Sequence, residues 1–207
     1  MIDFEGIKIK WLGHAGFKIK KDKVVYIDPY HIDEIEEADL ILITHEHYDH
    51  CSPDDIKKII KEDTVIMGPK DAVDKLSGNT MVIKPGDRKE FDDIIIDAVP
   101  AYNIGKKFHP KEKKGVGYVL NIGSKKIYHA GDTDLIPEME KLAVDVALLP
   151  VGGEYTMNAE EAALAANKIK PKIAIPMHYG SIIGSKEDAE EFRKECECEV
   201  RILGKGD

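Results

Sequence analysis

Cysteine is scarce and glutamine is absent from this chain of 207 residues. The cysteines, Cys51, Cys196 and Cys198, are odd in number and sparse. That excludes a disulfide framework and predicts reduced thiols in a cytoplasm. Cys196 and Cys198 have the wrong spacing for a zinc knuckle, and such near neighbours do not easily bridge each other, so both read as structural. Missing glutamine beside heavy use of Lys, Glu and Ile is a pattern of proteins from hot environments. No run of about 18 apolar residues exists, so no transmembrane helix or membrane insertion is expected. The opening Met-Ile-Asp-Phe-Glu-Gly lacks the basic and apolar regions of a signal peptide. Positive charge is in deficit: the formal net charge of -9 argues against nucleic-acid partners, which are held by clustered Lys and Arg. There is no Gly-x-Ser-x-Gly elbow, Walker loop or Gly-x-Gly-x-x-Gly. His45-Glu46 begins like a zincin motif, but position 49 is Asp.

What is present is a succession of short β-rich runs. Ile7–Trp11, Gly16–Lys20, Val24–Asp28 and Leu40–Thr44 read as strands, punctuated by Gly or by Lys21-Asp22-Lys23. Ser52 and Pro53 predict a helix start for Pro53–Lys61. Strands follow near Thr64–Met67, Thr80–Lys84 and Ile94–Val99, with a short helix over Lys70–Leu76. Gly115–Ile122 and Lys126–Ala130 form a hairpin turning at Gly123-Ser124, and Val144–Val151 is a buried strand. Asn158, with Glu161 three residues on, caps a helix to Lys168; Lys172–Met177 is a strand and Lys186–Cys196 a last helix. With no low-complexity linker, one α/β domain over 1–207 with two sheets and outer helices is expected.

The chemistry concentrates in His45-Glu46-His47-Tyr48-Asp49-His50, directly after the apolar Leu40-Ile41-Leu42-Ile43. In extended chain, residues two apart face one side, so His45 and His47 reach one cation together, and Asp49 and His50, past a turn, reach a second. Asp28, His45, Asp132 and His178 each follow a buried run, where α/β folds place their working residues. A lone histidine of this kind is more often a satisfied core residue. Four such placements together with the hexapeptide argue for a metal site.

These words, with Trp11-Leu12-Gly13-His14-Ala15, Ile27-Asp28-Pro29, Tyr128-His129-Ala130-Gly131-Asp132-Thr133 and Ile175-Pro176-Met177-His178-Tyr179, resemble the metallo-β-lactamase superfamily. Within it they are similar to the small metal-dependent hydrolases that include ascorbate-phosphate lactonase-like proteins and, more distantly, N-acyl-phosphatidylethanolamine phospholipase D. The resemblance implies a four-layer αββα sandwich, α/β (α+β) in class. It implies that His45 and His47 bind a first metal, that Asp49, His50 and His178 bind a second, and that Asp132 bridges them. Asp28 would orient a ligand by hydrogen bonding. The family supplies a further His to the first metal where this chain has Asn103, after Pro100-Ala101-Tyr102. His109 is the candidate replacement, against a substrate-facing or plain loop role. His129 differs in strand parity from Asp132 and reads as a packing group or as one that supports a ligand from behind, not as a ligand, and His31 as exposed.

The expected cofactors are two divalent metal ions, zinc first, with manganese or iron as alternatives. They lower the pKa of a shared water and create a metal-bound hydroxide, which Asp49 and Asp132 orient. His14, in a tight turn, is a candidate acid or oxyanion-stabilising residue, or else structural. The expected reaction is hydrolysis of a lactone, ester, amide or phosphodiester. Lys106, Lys107, Lys111, Lys113 and Lys114 crowd around His109. Most simply they are a solvated charge run; covering the site, they would favour a small anionic metabolite as partner. A non-catalytic metal-binding or regulatory module and an RNA or nucleotide phosphodiesterase are the competing readings.

Overall fold

The structure is a computed structural model, and it describes residues 1–206. The Cα packing resolves two compact units, one from Met1–Ile83 with the stretch that begins at Leu203, the other Lys84–Ile202. Each contains one seven-stranded sheet.

In the first unit β1 (Ile2–Phe4), β2 (Ile7–Gly13), β3 (Gly16–Lys20) and β4 (Val24–Ile27) run as an antiparallel meander. From β4 the sheet continues in parallel through β5 (Leu40–Leu42), β6 (Val65–Gly68) and β7 (Asn79–Val82). Parallel neighbours need crossovers, and α1 (Pro53–Ile59) and α2 (Lys70–Val73) supply two of them. Apolar residues of this sheet, its loops and its helices, among them Leu12, Tyr26, Ile41, Ile43, Ile56, Ile59 and Ile66, form one buried cluster.

The second unit repeats this plan. β8 (Arg88–Phe91), β9 (Ile94–Pro100), β10 (Val116–Ile122) and β11 (Lys125–His129) are antiparallel. β12 (Val146–Pro150), β13 (Ile173–Met177) and β14 (Glu199–Val200) then add in parallel. The crossovers carry α3 (Ala159–Ile169) and α4 (Lys186–Glu195). Asn158 accepts the Glu161 N–H at 2.8 Å while Glu161 accepts the Asn158 N–H at 3.0 Å, the expected capping box. The alanines of α3 at 159, 162, 163, 165 and 166 are buried, which lets the helix lie close on its neighbours.

The sequence expectations hold for the hairpin at Gly123-Ser124 and for the helix caps at Ser52 and Asn158. The seventh strand runs Asn79–Val82, not Thr80–Lys84. Three strands go unanticipated. β1 and β14 are very short, and β8 is an edge strand whose Arg88 and Glu90 stand exposed. Among the described residues no helix is long and apolar enough to cross a membrane.

Asp55 ties α1 to the loop after β4. It accepts the backbone N–H groups of His31 and Ile32, the Ser52 hydroxyl and the Lys58 ammonium. Burial pushes its carboxyl up, but those four donors outweigh burial and hold it below the usual carboxylate range.

Candidate metal centre

Polar residues gather where strands end. In the first unit Asp28 follows β4 directly and is fully buried. Its Oδ1 accepts the Thr44 N–H at 2.8 Å. Its Oδ2 accepts the Thr44 hydroxyl at 2.6 Å and faces His50 Nδ1 at 2.7 Å. That contact keeps the His50 proton on Nδ1 and makes Nε2 the lone-pair atom of the ring, the arrangement a metal ligand needs.

His45 and His47 come together, but not as extended chain. β5 stops at Leu42, and the His50 and Cys51 N–H groups both close on the His47 carbonyl, at 3.1 and 2.7 Å. The hexapeptide is therefore a bend over 45–47 followed by a turn over 48–50, and His45 Nε2 lies 3.0 Å from His47 Nδ1. The His45 and His50 rings lie 4.1 Å apart. His14 Nε2 meets Asp49 Oδ2 at 2.9 Å, and ligand atoms of His14, Asp49 and His50 lie within 4.8 Å of one another. His14 is almost fully buried, while Tyr48, inside the hexapeptide, is 66% exposed. Tyr30 packs edge-on to both and stacks on His31 at 4.0 Å.

In the second unit Asp132 follows β11 and His178 follows β13. The Asp132 Oδ2 lies 3.1 Å from His178 Nε2 and 3.4 Å from His109 Nε2. His109 Nδ1 faces the Tyr155 carbonyl at 3.2 Å, which places a proton on Nδ1 and turns Nε2 towards Asp132. Asn103 does not replace the expected histidine by mimicry; it builds the loop that delivers His109. Its side-chain amide donates to the Phe108 and Tyr155 carbonyls at 3.0 and 2.7 Å, and its backbone N–H to the His109 carbonyl at 2.8 Å. His129 is buried and its Nδ1 accepts the Gly131 N–H.

Backbone strain marks the same positions. His14, Asp28, His31, His109 and His178 all have φ between 46° and 60°, a region that costs a non-glycine residue free energy. Gly152 is needed for His178: a methyl group there would overlap the His178 carbonyl oxygen. Two participants were missed by sequence reasoning. Thr44, adjacent to His45, was legible in principle; Tyr155 faces His109 through its backbone carbonyl, which leaves no residue signal, while its ring packs edge-on against Phe108.

The donors are imidazoles and carboxylates without thiolate, buried or half-buried, with protons fixed on the far ring nitrogens of His50 and His109. Such a set fits a divalent cation of the zinc, manganese or iron type.

A family profile described as a beta-lactamase superfamily domain matches residues 8–178. A UPF0173 metal-dependent hydrolase of Thermoplasma acidophilum is 38% identical, over 91% of this chain and 90% of its own length. The chain belongs to this family of metal-dependent hydrolases. Solved structures agree. One from Parabacteroides distasonis superposes with a TM-score of 0.86 at 36% identity, covering 95% of this chain and 92% of its own. Igni18, a metallo hydrolase of Ignicoccus hospitalis, gives 0.81 at 26%, covering 97% and 96%. The expected α/β fold of the metallo-β-lactamase superfamily is therefore the fold of this UPF0173 hydrolase. The fold alone does not choose the reaction: CmlA, a diiron β-hydroxylase at 13% identity, shares it with a TM-score of 0.73.

Proposed function

We propose that the clusters of both units serve one binuclear centre, as superfamily membership implies. His45, His47 and His109 hold one cation; Asp49, His50 and His178 hold the other; Asp132 joins them. The observation that carries this reading is the Asp132 carboxylate, whose Oδ2 is approached by Nε2 of both His109 and His178. Bound divalent cations supply Lewis-acid activation of water and polarise the scissile carbonyl or phosphoryl group. The chain's own residues position the rest. Asp49 and Asp132 orient the attacking water, His14 holds the Asp49 carboxylate through Nε2, and Asp28 fixes the His50 ring.

The proposed substrate is a small anionic metabolite carrying a lactone, ester, amide or phosphodiester. The loop lysines support this only in part, because Lys106 is taken up by Asp134 and by the Thr156 carbonyl, and Lys111 by Glu138. A cleft of about 290 Å³ lined by Lys84, Lys111 and Lys114 over the Tyr102 ring and two prolines offers positive charge around an apolar floor. Matched pairs of lactones, aryl esters, amides and phosphodiesters, with and without a carboxylate or phosphate, test the substrate class. The anionic member of a pair is expected to have the higher kcat/KM, with the advantage shrinking as salt is raised. A neutral member that is turned over as fast at low salt would overturn the anionic reading.

His109→Ala tests the ligand assignment separately. Metal retained after dialysis is expected to fall to about one equivalent per chain, while Asn103→Ala weakens retention about tenfold through the loop. Full retention in His109→Ala would remove His109 from the ligand set.

A further inference from the structure

Tyr48 stands inside the hexapeptide, between His47 and Asp49, yet its side chain faces solvent. A lone aromatic residue on a surface is ordinary and needs no explanation. This one has company. Its ring meets Tyr30 at 76° with centroids 5.9 Å apart, and Tyr30 lies nearly flat on His31, at 16° and 4.0 Å. Tyr30 also makes an edge contact with His14, centroids 6.1 Å apart, and His14 Nε2 meets the Asp49 carboxylate at 2.9 Å. Tyr48 and the Tyr30–His31 stack are thus two aromatic walls set at a steep angle, both joined to the polar cluster of the first unit.

The stack is held rigidly. His31 keeps a left-handed backbone, φ 47°, although its side chain is exposed and stands outside the core. Asp55 accepts the His31 N–H at 2.9 Å and the Ile32 N–H at 3.2 Å, and the Lys205 ammonium donates to the His31 carbonyl at 3.3 Å. Ile32, next along the chain, is anchored in the buried cluster. A surface whose backbone is already fixed loses little conformational entropy when a ligand binds, which is the property recognition needs.

We propose that Tyr30, His31 and Tyr48 form an aromatic corner that takes a flat aromatic ring of the substrate, with Tyr48 as the residue that sets the preference. Resting on the hydrolase reading above, this names the group beside the scissile bond as aryl or heteroaryl, not alkyl. The chemistry follows from the walls. Rings set at 76° offer a third ring both an offset-stacked and an edge-on partner, the two arrangements aromatic pairs prefer. An alkyl group would gain from apolar contact alone. The placement follows from the chain, because Tyr48 is the direct neighbour of His47 and Asp49. A ring held against it lies next to residues assigned to the metals and to the attacking water.

The test uses the full, metal-loaded chain and titration calorimetry with three phosphonates of like charge: methyl-, cyclohexyl- and phenylphosphonate. In the wild type phenylphosphonate is expected to bind about tenfold more tightly than methylphosphonate, with cyclohexylphosphonate in between. Tyr48→Ala should cancel most of that advantage while leaving methylphosphonate affinity and metal content as they were, and Tyr48→Phe should keep it. Because the side chain is exposed, neither change threatens the fold. Ring-proton resonances of Tyr30 and Tyr48 should shift on adding phenylphosphonate and stay in place with methylphosphonate. Equal affinity for the phenyl and methyl compounds, or a phenyl advantage that survives Tyr48→Ala, would overturn the proposal. Binding is read apart from turnover. A chain that hydrolyses no ester, amide or phosphodiester but keeps a Tyr48-dependent phenyl advantage would lose the hydrolytic reading and retain the corner.

Discussion

Asp132→Ala is expected to abolish hydrolysis for practical purposes, lowering kcat/KM by about a thousandfold, or about 4 kcal/mol of transition-state stabilisation. The same change is expected to reduce bound metal by half or more. The reasoning is local. One carboxylate oxygen meets the Nε2 atoms of both His109 and His178, at 3.4 and 3.1 Å, and the side chain is 3% exposed. Alanine leaves those two imidazoles without their shared anion in a site too enclosed for bulk water to replace it. Metal content after dialysis, measured beside rates on the ester and phosphodiester pairs, checks both halves. Asp132→Asn, which preserves the shape but removes the charge, should fold like the wild type and still lose most activity. Full activity with full metal content in either variant would remove Asp132 from the centre.

The legibility of this site in the sequence follows from what each residue answers to. Asp28, His45, Asp132 and His178 could be read because a buried apolar run ending in a polar residue is a local pattern, and in a parallel sheet strand ends are where loops converge. The repeated sheet plan sharpens this: an aspartate follows the fourth strand in each unit, Asp28 after β4 and Asp132 after β11. His45 and His47 lie close together, but not through the extended chain that the sequence suggests. Residues 45–47 bend and residues 48–50 turn, a local departure from extended chain that side-chain periodicity does not report. His109 was legible only as the histidine of its loop. What aims it, the Tyr155 carbonyl, lies 46 positions along the chain and belongs to the backbone.

Asp28→Ala should show how much of the site depends on a residue that need touch no metal. The variant is expected to lose about 3 kcal/mol of stability in denaturant titration, because it strips a fully buried carboxylate and leaves the Thr44 N–H, the Thr44 hydroxyl and His50 Nδ1 without their acceptor. Asp28→Asn separates stability from chemistry. Asparagine can still accept the Thr44 N–H through Oδ1, so most of the stability should survive. Its amide nitrogen, however, stands where Oδ2 accepted from His50 Nδ1. Donating there, it draws the lone pair to Nδ1 and moves the His50 proton to Nε2, the atom a cation requires. Metal affinity should then fall by about ten- to a hundredfold while the denaturation midpoint changes little. Imidazole nitrogen resonances of His50 would report the exchanged tautomer directly in the metal-depleted protein. An unchanged tautomer with unchanged affinity would mean that Asp28 acts through packing alone, and the strain held at its φ of 46° would then need another explanation.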